Sequence, residues 1–330
     1  MQELRGKPSP ILTSRPLPDR NTTLDHAGTR PTTRPMARRV HPAGHHPEPE
    51  SASLTRRLAE AQLIQIAVVS CVIALAVGGL LSITDLLKAA HVRAAVAQID
   101  TITSAVNTFR LKYNALPGDI PPSLASAYGF FSESKLGGTP GHQDGNGLIE
   151  GGAERATVPA GETLLLWRHL SDANLLPGSF GRQGNARIVE TSGHIAGNCS
   201  DVDALLPEAR IAPSQYIIAY ASHGTNYFQL LPVAEVQATP FPSYQYGSQG
   251  IAPALALAVD SKLDDGVPDT GRVQARGLTG VNEEPSQAIS GTQRGCVVAA
   301  EGQPGRQLMY NVQGDNPSSA GPCSLRIRMH

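Results

Sequence analysis

Residues 61–84 read AQLIQIAVVSCVIALAVGGLLSIT and contain no charged side chain. At about 1.5 Å of rise per residue, a helix of this length crosses the roughly 30 Å hydrocarbon core of a bilayer. Asp85 and Lys88 end the uncharged run, but the next proline in the chain is Pro117. Because no proline lies between them, the sequence predicts a membrane-spanning segment that continues as a helix beyond the membrane.

Beyond the uncharged run, the apolar residues become periodic. They recur at intervals of three or four positions, at Val92, Val96, Ile99, Ile102, Val106, Phe109 and Tyr113. This spacing places them on one face of a helix, with Arg93, Asp100 and Lys112 elsewhere on its surface. We therefore expect a transmembrane half over 61–87 and an amphipathic half over 88–116 that lies along a globular domain.

The chain before this helix has a different composition. Residues 1–57 carry ten Lys and Arg against five Asp and Glu, a net charge of +5, so the remainder must carry −6 to give the total of −1. This segment is rich in Pro, Arg, Thr and His, and it has too few apolar residues to offset the entropy of ordering. We expect 1–57 to be a disordered basic tail on the cytoplasmic side of the membrane.

The chain after the helix, 117–330, has the signals of a loop-rich α+β domain. Breaks between elements are frequent, because the chain contains 33 Gly and 26 Pro. Apolar patterns bounded by Gly and Pro predict short helices over 162–176 and 253–262. Two β-branched and aromatic runs, 216–220 and 227–231, flank a glycine-containing loop and predict a β-hairpin.

These segments resemble the prepilin-type proteins, which are the type IV pilins and the pseudopilins of type II secretion. The family starts its mature chain with a Phe-Thr/Ser-Leu-Ile/Val-Glu-type run, and aligning Leu63-Ile64 on it makes Ala61 the first residue and Gln65 the fifth. The most specific match is AVNTFRLKYNALPGDIP at 105–121, with weaker matches in DGNGLIEG, LLWRHLSDANLL and AVDSKLDDGVPDTG. The resemblance implies a pilin-like fold, in which a long N-terminal helix packs on a small antiparallel β-sheet.

Two positions depart from the family pattern. The family's peptidase cuts after a glycine, and that position here is Glu60, directly before Ala61. The family's fifth residue is a glutamate that meets the N-terminal amine of a neighbouring subunit, and here it is Gln65. A neutral Gln side chain can hydrogen-bond but cannot form the ion pair. The sequence therefore predicts a degenerate peptidase junction that is cut inefficiently.

Four cysteines bear on the compartment of the domain. Cys71 lies in the uncharged run, and the other three, Cys199, Cys296 and Cys323, allow three pairings if they are oxidised. Pilin-like proteins often have a disulfide near the C-terminus, so the resemblance implies a Cys296–Cys323 bridge between two short strand-like runs. Such a bridge requires an oxidising compartment, which for this topology is the periplasm.

Two acidic loops raise the question of a metal. LDDGVPDTG at 263–271 contains Asp264, Asp265 and Asp269, and the resemblance implies calcium there, because some major pseudopilins hold calcium in a loop of the sheet domain. The alternative is a solvated loop with Asx turns. The second loop, Asp144-Gly-Asn-Gly, contains a fragment of a calcium-loop pattern, and we interpret it as a turn. We expect no other cofactor.

Sequence signatures of catalysis and of nucleic-acid binding are absent. The chain has no G-x-S-x-G, H-E-x-x-H or P-loop motif. Ser222 and His223 are neighbours in the predicted hairpin loop, so we do not expect them to face each other as nucleophile and base. The acidic balance of the chain after the tail argues against a nucleic-acid partner. We expect a protein that is not an enzyme.

The resemblance implies a structural role. We expect a pilin-like subunit of a type IV pilus or a type II secretion-type filament, anchored in the bacterial inner membrane with a periplasmic domain. Its implied partners are lipid, other pilin-like subunits contacting the transmembrane helix, the assembly platform and the prepilin peptidase. The alternative, favoured by Glu60 and Gln65, is a single-pass membrane protein that does not polymerise and has a pilin-like periplasmic binding domain.

Overall fold

A computed structural model describes residues 50–152, 158–238, 241–247, 249–278, 296–299, 308–312 and 323–329. The chain divides into two compact units, Met1–Ala67 and Val68–His330. Most of the predicted tail, up to residue 49, lies outside the described residues. Its last residues, from Glu50 onwards, are helical, so the helix begins before the predicted end of the tail at residue 57.

The first element is a long helix, α1, over Glu50–Tyr113. It ends three residues before the predicted boundary at 116, because Asn114 adopts a left-handed backbone with φ of 51°. Asn tolerates this conformation better than other residues with a side chain, and it commonly follows the last helical residue. Arg110 and Lys112 lie in the last turn, where positive charge favours the helix dipole.

The predicted apolar stripe of the amphipathic half is confirmed as part of the core. Its buried members are Val92, Ile99, Ile102, Val106, Phe109 and Tyr113, and Val96 is partly buried. Phe109 is completely buried and contacts the ring of Phe130 at a centroid distance of 5.3 Å. Arg93, Asp100 and Lys112 are exposed, as the periodicity predicted.

Three shorter helices follow: α2 over Pro122–Ala127, α3 over Glu162–Asp172 and α4 over Pro253–Leu263. The predicted helices at 162–176 and 253–262 correspond to α3 and α4. α3 ends four residues early because Asn174 adopts a positive φ of 54°. The only tryptophan of the sequence, Trp167, is completely buried in α3.

An antiparallel sheet forms the other layer of the domain. Its five described strands are β1 (Gln215–Ser222), β2 (Thr225–Gln237), β3 (Ser243–Tyr246), β4 (Val273–Gly277) and β7 (Cys323–Arg328). The order is β1-β2-β7-β4, and β3 pairs with the C-terminal part of β2. A separate antiparallel pair consists of β5 (Val297–Ala299) and β6 (Leu308–Tyr310). The chain is therefore an α+β protein with an antiparallel sheet.

The predicted hairpin is formed by β1 and β2. Ser222 pairs with Thr225, so only His223 and Gly224 form the turn. Both have positive φ, 49° and 73°, as a two-residue turn requires if it is to match the twist of its strands. Every residue of β1 is buried, because the chain around Pro207–Ala209 and Ile149 covers its outer edge. The hairpin is thus a central part of the core.

Candidate functional site

The first feature with functional potential is the apolar surface of α1. Within the described part of the chain, only the segment Glu60–Gly78 is long and apolar enough to cross a membrane, and none of it is buried in the protein. Its large apolar side chains are between 52% exposed, at Val77, and 74% exposed, at Leu75. A continuous apolar surface of this kind is rare on a monomer in water and indicates contact with lipid or with another protein.

The predicted peptidase junction lies on this helix. Glu60, Ala61 and Gln65 are all exposed, and α1 continues through the Glu60–Ala61 bond without a break. Proteolytic cleavage concentrates at exposed loops rather than within helices. The junction therefore lies in helical backbone, outside the exposed loops at which cleavage concentrates.

The second feature is a buried carboxylate cluster, formed by Asp119, Asp144 and Glu162. Their carboxylate oxygens lie within 4.8 Å of one another. Asp119 follows the turn after α1 and is 2% exposed, and Glu162 is the first residue of α3 and is completely buried. Of these three residues, the sequence pattern points only to Asp144, in its Asp-Gly-Asn-Gly turn. The other two residues, Asp119 and Glu162, are distant from Asp144 in the chain. The Pro-Gly-Asp turn after α1 was the sequence signal that could have pointed to Asp119.

Backbone N–H groups donate to this cluster. The donors belong to Asp144, Gly145, Gly147 and Glu150. The two bonds to the Asp119 oxygens are 2.7 Å long, and those to the Glu162 oxygens are 3.0 and 3.3 Å. The loop 144–150 is therefore tied both to the turn after α1 and to the start of α3. It is a turn, as interpreted from the sequence, but one held by buried carboxylates.

Burial changes the protonation of these groups. Loss of water raises the pKa of Asp119 to about 6, and backbone hydrogen bonds from Gly147 and Gly145 counteract this. Loss of water, followed by the nearby charge of Asp119, raises the pKa of Glu162 to about 9. Carboxylates that crowd in this way can share a proton, and their oxygen atoms are also the ligands that hard cations such as calcium prefer.

The turn beside this cluster requires glycine and a neutral histidine. Gly118 has a φ of +94°, and a Cβ there would lie 2.6 Å from the Glu162 carbonyl oxygen. Its N–H donates to His169 Nδ1 at 3.0 Å, and His169 Nε2–H donates to the Phe131 carbonyl at 2.9 Å. Because the ring is completely buried, its pKa falls to about 4. His169 therefore connects α3 to the chain on both sides of α2 in its uncharged form.

A second carboxylate cluster, at the end of α4, includes part of the predicted calcium set. Oxygens of Asp264 and Asp265 lie within 4.8 Å of each other and of Asp260, and Asp269 does not belong to this group. Asp260 lies in the helix predicted over 253–262, and its sequence position does not mark it as a possible ligand. Asp260 is buried, whereas Asp264 and Asp265 are exposed. We name this group the α4 carboxylate cluster.

The carboxylates of the α4 cluster accept hydrogen bonds from their own loop and from β6. Asp260 accepts from Gly266 N–H at 3.1 Å and from the Tyr310 hydroxyl at 2.6 Å. Burial raises the pKa of Asp260 to about 6. Bonds from the Val267 N–H and then the Thr270 hydroxyl lower the pKa of Asp265. The loop therefore has the Asx-type turns of the alternative interpretation, and calcium at Asp264, Asp265 and Asp269 stays a prediction.

The structure contains a disulfide between Cys296 and Cys323, the pair implied by the family resemblance. It connects the residue before β5 to the first residue of β7. Cys71 is free and exposed on α1, and Cys199 is free and buried. Burial raises the pKa of the Cys199 thiol, which makes it a poor nucleophile.

One expectation about Ser222 and His223 was wrong. Although they are adjacent in the chain, the Ser222 Oγ lies 2.9 Å from the His223 Nδ1. His223 has a positive φ of 49° in the two-residue turn. The contact lies at the tip of the hairpin, between the paired ends of β1 and β2.

Comparisons with protein-family models, with curated proteins and with solved structures found no match to this chain. The function must therefore be inferred from the residues and the structure of the chain itself. Its most distinctive surface is the exposed apolar half of α1, which can insert into a membrane or pack against other helices.

Proposed function

We propose that this chain is a pilin-like structural subunit of a type IV pilus or a type II secretion-type filament, and that it is not an enzyme. The segment 61–87 anchors it in the bacterial inner membrane, with the N-terminus cytoplasmic and the α+β domain periplasmic. Other pilin-like subunits contact the apolar half of α1. The protein acts by helix and domain packing.

The observation that carries this proposal is the change of surroundings along one unbroken helix. α1 extends from Glu50 to Tyr113. Large apolar side chains are exposed over Glu60–Gly78, and the later stripe that ends at Tyr113 belongs to the core of the domain. A simple membrane anchor needs no such stripe. The disulfide supports a periplasmic domain, because disulfides persist in oxidising compartments.

Cysteine cross-linking in native membranes tests whether subunits pack through this helix. Cys71 is exposed in the apolar half, so oxidation can join it to a neighbouring helix. Single cysteines at Val68, Val69 and Ser70 in a Cys71→Ser background, together with the native Cys71, lie about 100° apart around the helix and sample its whole circumference. A filament subunit is expected to give covalent dimers or products with other pilins at positions on the packed face, and none in Cys71→Ser alone.

The second candidate function is a single-pass membrane protein that does not polymerise. Glu60 and Gln65 favour it, because they remove the cleavage glycine and the charge that pairs with a neighbouring amine. The same experiment separates the two: a protein that remains in the membrane but gives no cross-link at any of the four positions supports the second function.

Processing at the junction is a separate prediction. We expect most of the protein to retain the residues before Ala61, because Glu60 replaces glycine and α1 is continuous there. Intact mass of protein from its native membrane measures this. A Glu60→Gly variant provides the matched comparison, since it restores the family's cleavage residue. A wild-type chain that starts at Ala61 with a methylated amine would contradict the prediction.

A further inference from the structure

Basic side chains lie on α1 just beyond the proposed membrane-spanning segment. Lys88 directly follows Leu87, the last residue of that segment, and Arg93 comes five residues later. Both residues are exposed. At about 1.5 Å of rise per residue, their Cα atoms lie roughly 1.5 and 9 Å beyond Leu87. Side chains on a helix lean towards its N-terminus, which here is the direction of the membrane.

A third basic residue comes from a distant part of the chain. The amide of Gln98 on α1 binds the loop before β1 with both of its ends: Nε2 donates to the Glu208 carbonyl at 2.8 Å, and Oε1 accepts from the Arg210 N–H at 2.9 Å. His91 Nδ1–H donates to the Arg210 carbonyl at 3.3 Å. These bonds hold Arg210, which is exposed, beside α1 between the levels of His91 and Gln98.

Lys88, Arg93 and Arg210 form a group that we name the basic collar. Its charge is only partly neutralised by carboxylates. Lys88 Nζ lies 3.5 Å from a carboxylate oxygen of Asp85, in a pair whose side chains are 64% and 81% exposed. Neither arginine of the collar forms an ion pair with a carboxylate of the described residues. Three positive charges and the one negative charge of Asp85 leave a net charge of +2.

The distance of the collar from the apolar segment indicates what it contacts. The polar headgroup layer is roughly 5–7 Å thick on each side of the hydrocarbon core of a bilayer. Lys88 lies within this layer, and Arg93 is close enough to reach it with its long side chain. The acidic residues Asp100 and Glu208 are farther away, at or beyond the level of Gln98, which is roughly 16 Å from the end of the apolar segment.

We propose that the basic collar binds the headgroups of anionic phospholipids in the leaflet next to the α+β domain. This inference rests on the proposed function, because it requires that 61–87 spans the membrane. Ammonium and guanidinium groups donate strong hydrogen bonds to phosphate oxygens, and a guanidinium can donate two at once. Lipid phosphates are the anions present at this level, and a protein or nucleic-acid partner would have to enter the headgroup layer to reach Lys88. Because Arg210 belongs to the domain, the contact also fixes the domain against the membrane surface.

The test is the lipid selectivity of the full-length protein in phosphatidylcholine vesicles. A trace of spin-labelled phosphatidylglycerol or phosphatidylcholine reports, by EPR, the fraction of each lipid that the protein restricts in its motion. The ratio of the two association constants measures the preference for the anionic lipid, and we expect the wild-type protein to prefer phosphatidylglycerol. Each cation near an anionic surface strengthens binding at its own site by about fivefold. Averaged over all lipids around the helix, Arg93→Gln/Arg210→Gln is therefore expected to lower the preference by about twofold.

A second double variant makes the result specific to the collar. Arg110→Gln/Lys112→Gln removes the same charge from two exposed positions at the far end of α1, roughly 35 Å beyond the apolar segment. This variant is expected to keep the wild-type preference. The basic tail is the same in all three proteins, so it cannot account for a difference between them.

The results that would overturn the proposal differ in what they say about the membrane anchor. Inserted wild-type protein that restricts both lipids equally would refute lipid binding by the collar and leave the anchor intact. An equal preference in the two double variants would have the same meaning. Wild-type protein that alkaline washing removes from the vesicles would refute the anchor, and the proposal with it.

Discussion

The two halves of α1 use the same aliphatic residue types in opposite surroundings. Over Glu60–Gly78, large apolar side chains are more than half exposed, up to 74% at Leu75. In the later half, Ile102 and Phe109 are completely buried. The difference follows from spacing, since apolar residues surround the first half and occupy one face of the second. The period of the apolar residues, more than their number, indicates what covers the helix.

The largest expected effect is on Phe109. Phe109→Ala removes a completely buried ring, so we expect the free energy of unfolding of the domain to fall by about 3–5 kcal/mol. Leu75→Ala is the matched change in the other half and is expected to alter it by less than about 0.5 kcal/mol. Thermal or denaturant unfolding of the two full-length variants in the same detergent gives both values.

Either of these two variants can contradict the assigned surroundings of its half of α1. An unchanged melting temperature for Phe109→Ala would mean that the amphipathic half stands clear of the domain. A large loss for Leu75→Ala would mean that the apolar half is covered by the chain itself. Either result would remove the main support for a pilin-like architecture.

A charge in the apolar half should weaken membrane insertion and leave the fold of the domain unchanged. At the centre of a spanning helix, Asp costs about 2.5–3.5 kcal/mol, so Val72→Asp is expected to reduce the fraction of protein that resists alkaline extraction from membranes. Val72→Ala is the control and should extract like the wild type. The unfolding of the domain should be the same in both variants, and insertion of Val72→Asp at wild-type levels would argue against a lipid-facing position.

The buried half should respond to pH through His169. The ring of Phe109 stacks on this imidazole, with 6.3 Å between the two ring centroids. Because burial lowers the pKa of His169 from 6.5 to about 4, the native state binds fewer protons than the unfolded state between these values. Its contribution to stability is complete above pH 6.5 and is lost as the pH falls towards 4, by at most about 3 kcal/mol.

The buried carboxylates change the stability of the domain with pH in the opposite direction to His169. A variant is therefore needed to isolate the effect of His169. The raised pKa values of Asp119 and Glu162 make their contributions largest at low pH, and these are lost as the pH rises towards 6 and 9. His169→Gln leaves these carboxylates in place. Wild type should therefore lose more stability than this variant between pH 7 and pH 4. Parallel stability profiles would show that folding does not lower the pKa of His169.

Elements held by local patterns were predictable from the sequence. The stripe along α1, the β1–β2 hairpin and α4 follow from periodicity and turn residues over short windows. The strands β3, β4 and β6 were not predicted, because each has only three to five residues. Such segments become strands through pairing with distant chain, as β4 does with β7.

The same distinction between local and distant residues applies to the carboxylates of the two clusters. Asp264 and Asp265 were identified because they are adjacent in an acidic loop. Asp260 was missed because its role depends on Tyr310, 50 positions along the chain. Asp119 and Glu162 were missed for the same reason, since neither is in an acidic run and only the folded loop brings their oxygens together. Spacing reveals a site when its groups are local, and not when the site is assembled from distant segments.

The smallest expected effect tests whether the cost of a substitution depends on the half of α1 in which the residue lies or on the face of the helix that it occupies. Leu111 belongs to the amphipathic half but is 87% exposed, whereas Ile102 in the same half is completely buried. Ile102→Ala should cost about 2–5 kcal/mol, because it leaves a cavity in the core. Leu111→Ala removes a side chain of the same size from the surface, and alanine favours a helix at least as well as leucine does. We therefore expect a change within about 0.5 kcal/mol. Denaturant unfolding of both full-length variants in one detergent decides this, and a loss at Leu111 comparable to that at Ile102 would show that this face of the helix is also covered.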